Sequence, residues 1–238
     1  QGDFELIGEA SSVADAQAAI DGAAGIVIGA DAEFELAGGL VAVQVINNAA
    51  SGSFDFHGGT LKARNYLGDL VNDGGTFAPG PSAAIGVVTG DFVQNSGTLE
   101  IEIGGTGPGN QYDRLAVGGS ADLGGTLQLI LIGGFMPAFG QMFSIITAME
   151  GIAGEFDQLV LPALGGNLHW GTRLTEDALS LIVGLPGDYN GDGAVDAGDY
   201  TMWRDTLGQS VVAGSGADGN RDGQISDADF ALWKSNFG

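Results

Sequence analysis

The chain contains no cysteine, so neither a disulfide nor a thiolate metal site can contribute to it, and thiol chemistry says nothing about its redox compartment. Basic residues are nearly as scarce: seven Lys and Arg stand against thirty Asp and Glu in 238 residues, a formal charge of −23. Such a field repels phosphate backbones and anionic lipid surfaces, which excludes nucleic acid as an expected partner, and it attracts divalent cations. Long apolar runs are absent too. The longest, LQLILIGGF from Leu127, is strand-sized, well short of the ~20 residues of a membrane-spanning helix, so no membrane insertion is expected. A start at Gln1 rather than methionine leads us to expect a processed chain or a fragment of a longer one. Proline is rare at six residues, but glycine reaches 44 and hydrophobic residues 44%. That balance is too apolar for a disordered chain, lacks the period of collagen, and suits a β-rich protein with many tight turns.

From Phe4 to Val183 the chain reads as short alternating or apolar runs, among them FELI, LVAVQVI, SFDFHGG, TLEIEI and LSLIV, punctuated by glycine. Period-two alternation marks strands with one buried face, and the glycine breaks mark the turns between them. Only ADAQAAI, Ala14 to Ile20, hints at a helix. A signature of Gly-Gly-Thr or Ser-Gly-Thr followed by an apolar residue recurs at Gly58, Gly74, Ser96 and Gly124, its threonines 16, 22 and 28 residues apart. These spacings approach the length of a solenoid coil, with loops of variable size protruding from a repeated rung. The expectation is a mainly β protein: a right-handed parallel β-helix, or solenoid, over residues 1–184 with a capping region at its C-terminal end. A β-sandwich built from antiparallel hairpins is the alternative.

The stretch GGTFAPGPSAAIGVVTGDFVQNSGTLEIEIGG, continued by YDRLAVGGSADLGGTLQLILIGGFMPAFGQMFSIITA and GEFDQLVLPAL, resembles the terminal part of autotransporter-like β-helix proteins of the bacterial surface. It is also similar to secreted proteins of planctomycete-type bacteria. The resemblance spans roughly residues 58 to 184 and implies a β-helix with a cap and an extracellular or cell-surface location.

Pro186 and Gly187 interrupt the last strand run, and the composition then shifts to acidic loops, which sets off a second domain at 185–238. Here GDYNGDGAVDAGDYTMWRDTLG is followed by ADGNRDGQISDADFALWKSNFG, and the two align at a constant offset of thirty. A calcium loop of about twelve residues supplies oxygens from positions 1, 3, 5, 7, 9 and 12, with glycine at 6 for the sharp turn. In the first copy those positions are Asp188, Asn190, Asp192, the carbonyl of Ala194, Asp196 and Asp199; in the second, Asp218, Asn220, Asp222, the carbonyl of Gln224, Ser226 and Asp229. Gly193 and Gly223 occupy the turn. Two calcium ions are therefore expected, and the mutual repulsion of the loop carboxylates makes a structural role for them the better expectation.

Asp196 and Ser226 are good helix N-caps, and Ser226 with Asp229 forms a capping-box-like pair. Tyr200, Trp203 and Leu207, like Phe230, Trp233 and Phe237, then fall on one helical face. Val195 and Ile225, at position 8, are expected to pair the two loops with each other.

Position 12 is aspartate where an EF-hand usually carries glutamate, and the residues before each loop cannot form an entering helix. A half-hand of this kind, duplicated, resembles the type I dockerin module over Asp188 to Gly238. The resemblance implies calcium-dependent docking to a cohesin-like surface receptor. Positions 10 and 11, which help select the cohesin in that family, are Ala197 and Gly198, then Asp227 and Ala228. They lack the hydroxyl pair of cellulosomal dockerins, which leaves another receptor or other copies of the chain as partners.

Catalytic constellations are thin. His57 and His169 are isolated in sequence and read as surface or packed residues. Glu100 and Glu102 alternate on one strand face, which reads as a solvated side. A lyase acting on acidic polysaccharide needs basic residues, and the first 187 contain only Lys62, Arg64, Arg114 and Arg173; Lys62 and Arg64 read as a solubilising strand edge. The sequence is thus expected to encode a non-enzymatic, secreted structural or surface protein, able to assemble head to tail where solenoid ends stay uncapped. A polysaccharide-binding or polysaccharide-degrading β-helix, tethered through its dockerin, is the alternative. In that case Asp69, Asp73, Lys62 and Arg64 should share one groove.

Overall fold

The computed structural model describes residues 4–6, 25–29, 32–48 and 52–238; the helical hint at Ala14–Ile20 lies outside them. Fifteen strands form one curled sheet, a half-barrel in outline, and two helices follow. The strands are β1 (Phe4–Leu6), β2 (Gly25–Ile28), β3 (Glu33–Asn47), β4 (Ser53–Leu67), β5 (Leu70–Ala78), β6 (Ile85–Val88), β7 (Phe92–Ile103) and β8 (Arg114–Val117). They continue with β9 (Ala121–Leu123), β10 (Thr126–Leu131), β11 (Met142–Ala148), β12 (Ile152–Gly154), β13 (Gln158–Val160), β14 (His169–Leu174) and β15 (Ala178–Gly184).

Each pass of the chain lies parallel on the one before it. From β2 the parallel ladder runs through β3, β4, β5, β7, β10 and β13. A second parallel path leaves β4 for β6, β8 and β11, because the segment between β5 and β6 breaks one long strand into two. Among the described residues, antiparallel strand pairs are confined to β1 with β2 and to the last hairpin, where β15 pairs with β11 and β14. The sheet is therefore made from stacked passes and not from the successive hairpins of a sandwich.

The repeated Gly-Gly-Thr signature sets the register. Thr60, Thr76, Thr98 and Thr126 stand directly over one another, and the next residue forms an inward ladder of Leu61, Phe77, Leu99 and Leu127, each almost wholly buried. The glycines are there because the backbones of successive turns touch. Gly97 sits at φ +77°, and a Cβ on it would lie 2.4 Å from the carbonyl oxygen of Gly75, closer than any side chain tolerates. Beneath these turns the buried Asn72 accepts from the Gly75 amide at 2.9 Å, and the buried Gln94 donates to the carbonyls of Gly124 and Thr126. Amides thereby satisfy backbone groups that the turns take out of the ladder.

A second corner is tied by carboxylates. The Asp91 amide donates to Asp69, and the Ser120 amide and hydroxyl donate to Asp91, one pass to the next; the bonds from Ser120 hold the Asp91 carboxyl below its usual range. Asp113, 1% exposed, accepts from the amides of Ala84 and Glu102. Burial nevertheless outweighs those bonds and pushes its carboxyl up to about 6. At the far end Phe143 makes edge contacts with Tyr112, Phe135 and Trp170, closing the core under the antiparallel hairpin.

The candidate groups on the sheet are dispersed. Lys62 reaches across Ala78 to Glu100, 3.4 Å away, and both are largely covered, with side chains 26% and 17% exposed. The expectation of a solvated Glu100 and of a solubilising edge at Lys62 is thus corrected: β4 lies inside the sheet, and the pair neutralises itself across two passes. Asp69 is engaged with the turn ladder, and Asp73 accepts from Asn95. His57 is the extra residue of a bulge between β3 and β4 and lies between Asp55 and Glu35, at 3.0 and 3.4 Å. Its hydrogen bond to Asp55 raises the imidazole above its ordinary value.

Candidate functional site

After Gly184 the chain turns, and helices α1 (Ala197–Thr206) and α2 (Asp227–Asn236) each emerge from an acidic loop. Both begin as the side chains dictate. Asp196 caps α1 and Ser226 caps α2, and each cap is a complete capping box, with Asp199 or Asp229 reaching back to the cap's amide at 2.8 Å.

The loops share one framework of hydrogen bonds. At position 1, Asp188 accepts from the amides of Gly191 and Gly193 at 2.8 and 3.0 Å, and Asp218 from those of Arg221 and Gly223 at 2.9 and 2.9 Å. At position 3, Asn190 donates to Asp192 and Asn220 to Asp222. At position 5, Asp192 and Asp222 accept from the amides of Ala194 and Gln224. At position 12, the buried Asp199 and Asp229 accept from the amides of Asn190 and Asn220, both at 3.0 Å. Backbone donors thus orient each carboxylate and still leave it lone pairs to give.

Such a donor set fits a hard cation. It consists only of oxygens, from carboxylates, side-chain amides, the Ser226 hydroxyl and the carbonyls of Ala194 and Gln224, with no imidazole or thiolate in either loop. The first loop also concentrates charge that no basic side chain offsets. Burial, followed by the neighbouring charges of Asp199 and Asp192, pushes the Asp188 carboxyl up against the amides that favour its charged form. A divalent ion placed among these groups would relieve that repulsion.

The halves interlock through their aromatic residues. Trp203 of α1 donates to the carbonyl of Ser226, and Trp233 of α2 donates to the carbonyl of Asp196, at 2.7 and 2.8 Å. Each indole therefore pins the N-cap of the opposite helix. Tyr200, Trp203, Phe230 and Trp233 stack between the helices with ring centres 4.8 to 6.0 Å apart. Leu207 and Phe237, expected on the same face, are the C-caps and remain about half exposed.

The expected pairing of Val195 with Ile225 is not what joins the loops. The Ile225 carbonyl accepts from Gly208, and the Val195 carbonyl from Gly238, so each position 8 pairs with the glycine that ends the opposite helix. The helix between loop and glycine brings the chain back alongside the other copy, which puts the partner thirteen residues beyond where loop-to-loop pairing would have it.

Sequence reasoning also missed three residues. Tyr189 is buried, and its hydroxyl donates to the Asp229 carbonyl at 2.6 Å; its counterpart in the second copy, Gly219, is small because Leu232 and the Tyr189 side chain fill that space. Arg221 adopts φ +65°, alone among the described non-glycine residues, where the first copy has Gly191 at φ +74°. Thr172 of β14 bonds to the chain ahead of the second loop. The Tyr189 to Gly219 and Gly191 to Arg221 mismatches are visible in the thirty-residue alignment, whereas nothing in sequence marks Thr172.

Two acidic loops, each closing on a capped helix and related by one constant offset, define a duplicated loop-and-helix module. Residues 186–237 match the family model of the dockerin type I domain, so the chain carries a C-terminal type I dockerin module. No curated protein matches the chain. The resemblance of residues 58–184 to autotransporter-like proteins rests on their glycine and alternation pattern alone. Among the described residues, no helix is long and apolar enough to cross a membrane.

Proposed function

We propose that the protein is a non-enzymatic extracellular structural or cell-surface component that docks, through its C-terminal module and two calcium ions, to a cohesin-like receptor or to other copies of itself. The observation that carries this reading is the duplicated oxygen-donor loop, which repeats a shared set of hydrogen bonds at positions 1, 3, 5 and 12 and coincides with the dockerin match. Bound calcium would be held by Asp188, Asn190, Asp192, Ala194, Asp196 and Asp199 in one loop, and by Asp218, Asn220, Asp222, Gln224, Ser226 and Asp229 in the other. The ion would supply charge neutralisation, and the loops and helices would supply the ordered surface. The exposed Arg204 and Lys234, equivalent in the two copies, mark the helix faces offered to the partner.

The sheet is proposed to be a right-handed parallel β-helix, a stiff body of domain 1–184 that presents the module of 185–238. Parallel in-register stacking over successive passes supports this. The self-pairing of Lys62 with Glu100 and the structural engagement of Asp69 and Asp73 favour the non-enzymatic reading over a polysaccharide-degrading one.

The test uses the full chain with Trp170→Phe, so that only Trp203 and Trp233 report on the module. Emission should shift to the red when EGTA removes calcium, and light scattering with electron microscopy in the two conditions should separate the partners. Calcium-dependent fibres or sheets would establish self-assembly. Monomers at every calcium concentration would eliminate it and leave the receptor. Emission indifferent to calcium would overturn the calcium-ordered module itself.

A further inference from the structure

The two loops are alike internally but not in their surroundings. In the first, Asp188 is half-buried and Gly193 lies near the Phe139 ring, while Ala217 and Asp218 at the start of the second are 0% and 2% exposed. Ala217 packs with Tyr189 and Trp203 in the module's own core, and the segment leading to Asp218 bonds to the sheet. β14 is the last strand of its path, and its outer edge carries unpaired backbone groups, a feature that proteins generally cover or blunt. Here the Thr172 amide donates to the Gly214 carbonyl at 2.9 Å, and the Thr172 hydroxyl donates to the Ala213 carbonyl at 2.7 Å. The same Gly214 then donates its own amide to Asp218 Oδ2 at 2.9 Å. One short relay thus runs from the sheet edge through a single peptide to the first ligand position of the second loop.

Arg221 reinforces this relay. It holds a left-handed backbone that costs a non-glycine residue roughly 1 to 2 kcal/mol, and its side chain lies against Gly214, whose Cβ, if present, would be 3.2 Å from Arg221 Cγ. Its charge, after burial, helps hold the nearby His169 of β14 down at about 4, so that the imidazole stays neutral at the joint. Asn167, just before β14, donates to Asn236 at 3.1 Å, a further tie. The first loop has no such relay: its position 4 is Gly191, and its position 1 carboxylate bonds only within the loop.

We propose that the second loop is a calcium-dependent cover for the β14 edge, with Thr172, Gly214, Asp218 and Arg221 as its linkage, so that calcium binding at the module is transmitted into the sheet. This inference rests on the reading of Asp218 as a calcium ligand. An ion that fixes Asp218 fixes the peptide at Gly214, and through it the acceptors of Thr172. Loss of the ion leaves three carboxylates of that loop to repel one another, loosens the 213–218 segment and exposes the edge.

The test is hydrogen–deuterium exchange on the full chain with calcium and with EGTA, following peptides over 169–174 and over 214–225 separately. The expected result is that calcium slows exchange in both, with the Thr172 amide slowed by about fivefold or more, the effect of one lost hydrogen bond. Asp218→Ala should abolish the effect at 169–174. Thr172→Val and Arg221→Gly should diminish it there while leaving the calcium response of 214–225 intact; glycine accepts the positive φ, so the second variant keeps the loop's conformation. If calcium protects 214–225 but not 169–174 in the unaltered chain, the cover is refuted and the calcium loops stand. If calcium protects neither, the calcium reading of the loop falls, and the cover falls with it.

Discussion

Both regions of this chain are repeats, yet they tolerate irregularity in opposite ways. The sheet's repeated threonines are 16, 22 and 28 residues apart, whereas the module's two copies keep an offset of thirty at every ligand position. In the sheet, only the stacked segments have to coincide; the extra residues between Ala78 and Ile85 and between Ile103 and Arg114 form connections between strands, which can differ in length from pass to pass. In the module, the loop itself is the site, and each residue between Asp188 and Asp199 fixes where the next oxygen points. A repeat drifts where its joints are outside the contact and holds where the joint is the contact.

The sharpest way to break that comparison is to insert residues in both places. One glycine between Asp192 and Gly193 should remove the first of the two calcium sites, read as a halved stoichiometry in calorimetric titration. Two residues between the exposed Pro81 and Ser82 should change the unfolding free energy of the sheet by less than about 1 kcal/mol, because loop closure grows only slowly with length. Equal effects from both insertions would contradict the contrast.

A smaller effect tests where the sheet is intolerant. Gly97→Ala places a methyl group against the Gly75 carbonyl at a positive φ, and should cost about 3 kcal/mol in denaturant unfolding. Gly38→Ala, whose Cβ meets nothing within 4 Å, serves as its control and should be near neutral. The smallest effect tests the module's symmetry. Trp203→Phe and Trp233→Phe each remove one indole donor from an opposite N-cap, and each should lower the module's thermal transition by the equivalent of about 1 kcal/mol. A much larger loss at Trp203 than at Trp233 would show that the sheet, by holding only the second loop, has made the two halves unequal.

The ligand positions of both loops, the caps at Asp196 and Ser226 and the existence of a stacked β region were legible because each rests on local spacing. Oxygens at alternate positions, a capping pair three residues apart and a recurring Gly-Gly-Thr are properties of a few adjacent residues, and they survive whatever the rest of the chain does. The same holds for the threonine ladder, since identical turns stack in register as soon as the passes are parallel.

What tertiary structure alone decided is which distant groups meet. Lys62 finds Glu100 across an intervening pass, Val195 and Ile225 each find the glycine beyond the opposite helix, and Thr172 finds Gly214. None of these partners has a local separation in sequence, because they depend on the sheet's curl, on how the module's two halves pack together, and on how the module seats against the last strand. Short-range geometry wrote the calcium-type loops into the sequence; their unequal surroundings came only from folding, when the segment ahead of the second loop bonded to Thr172 of β14.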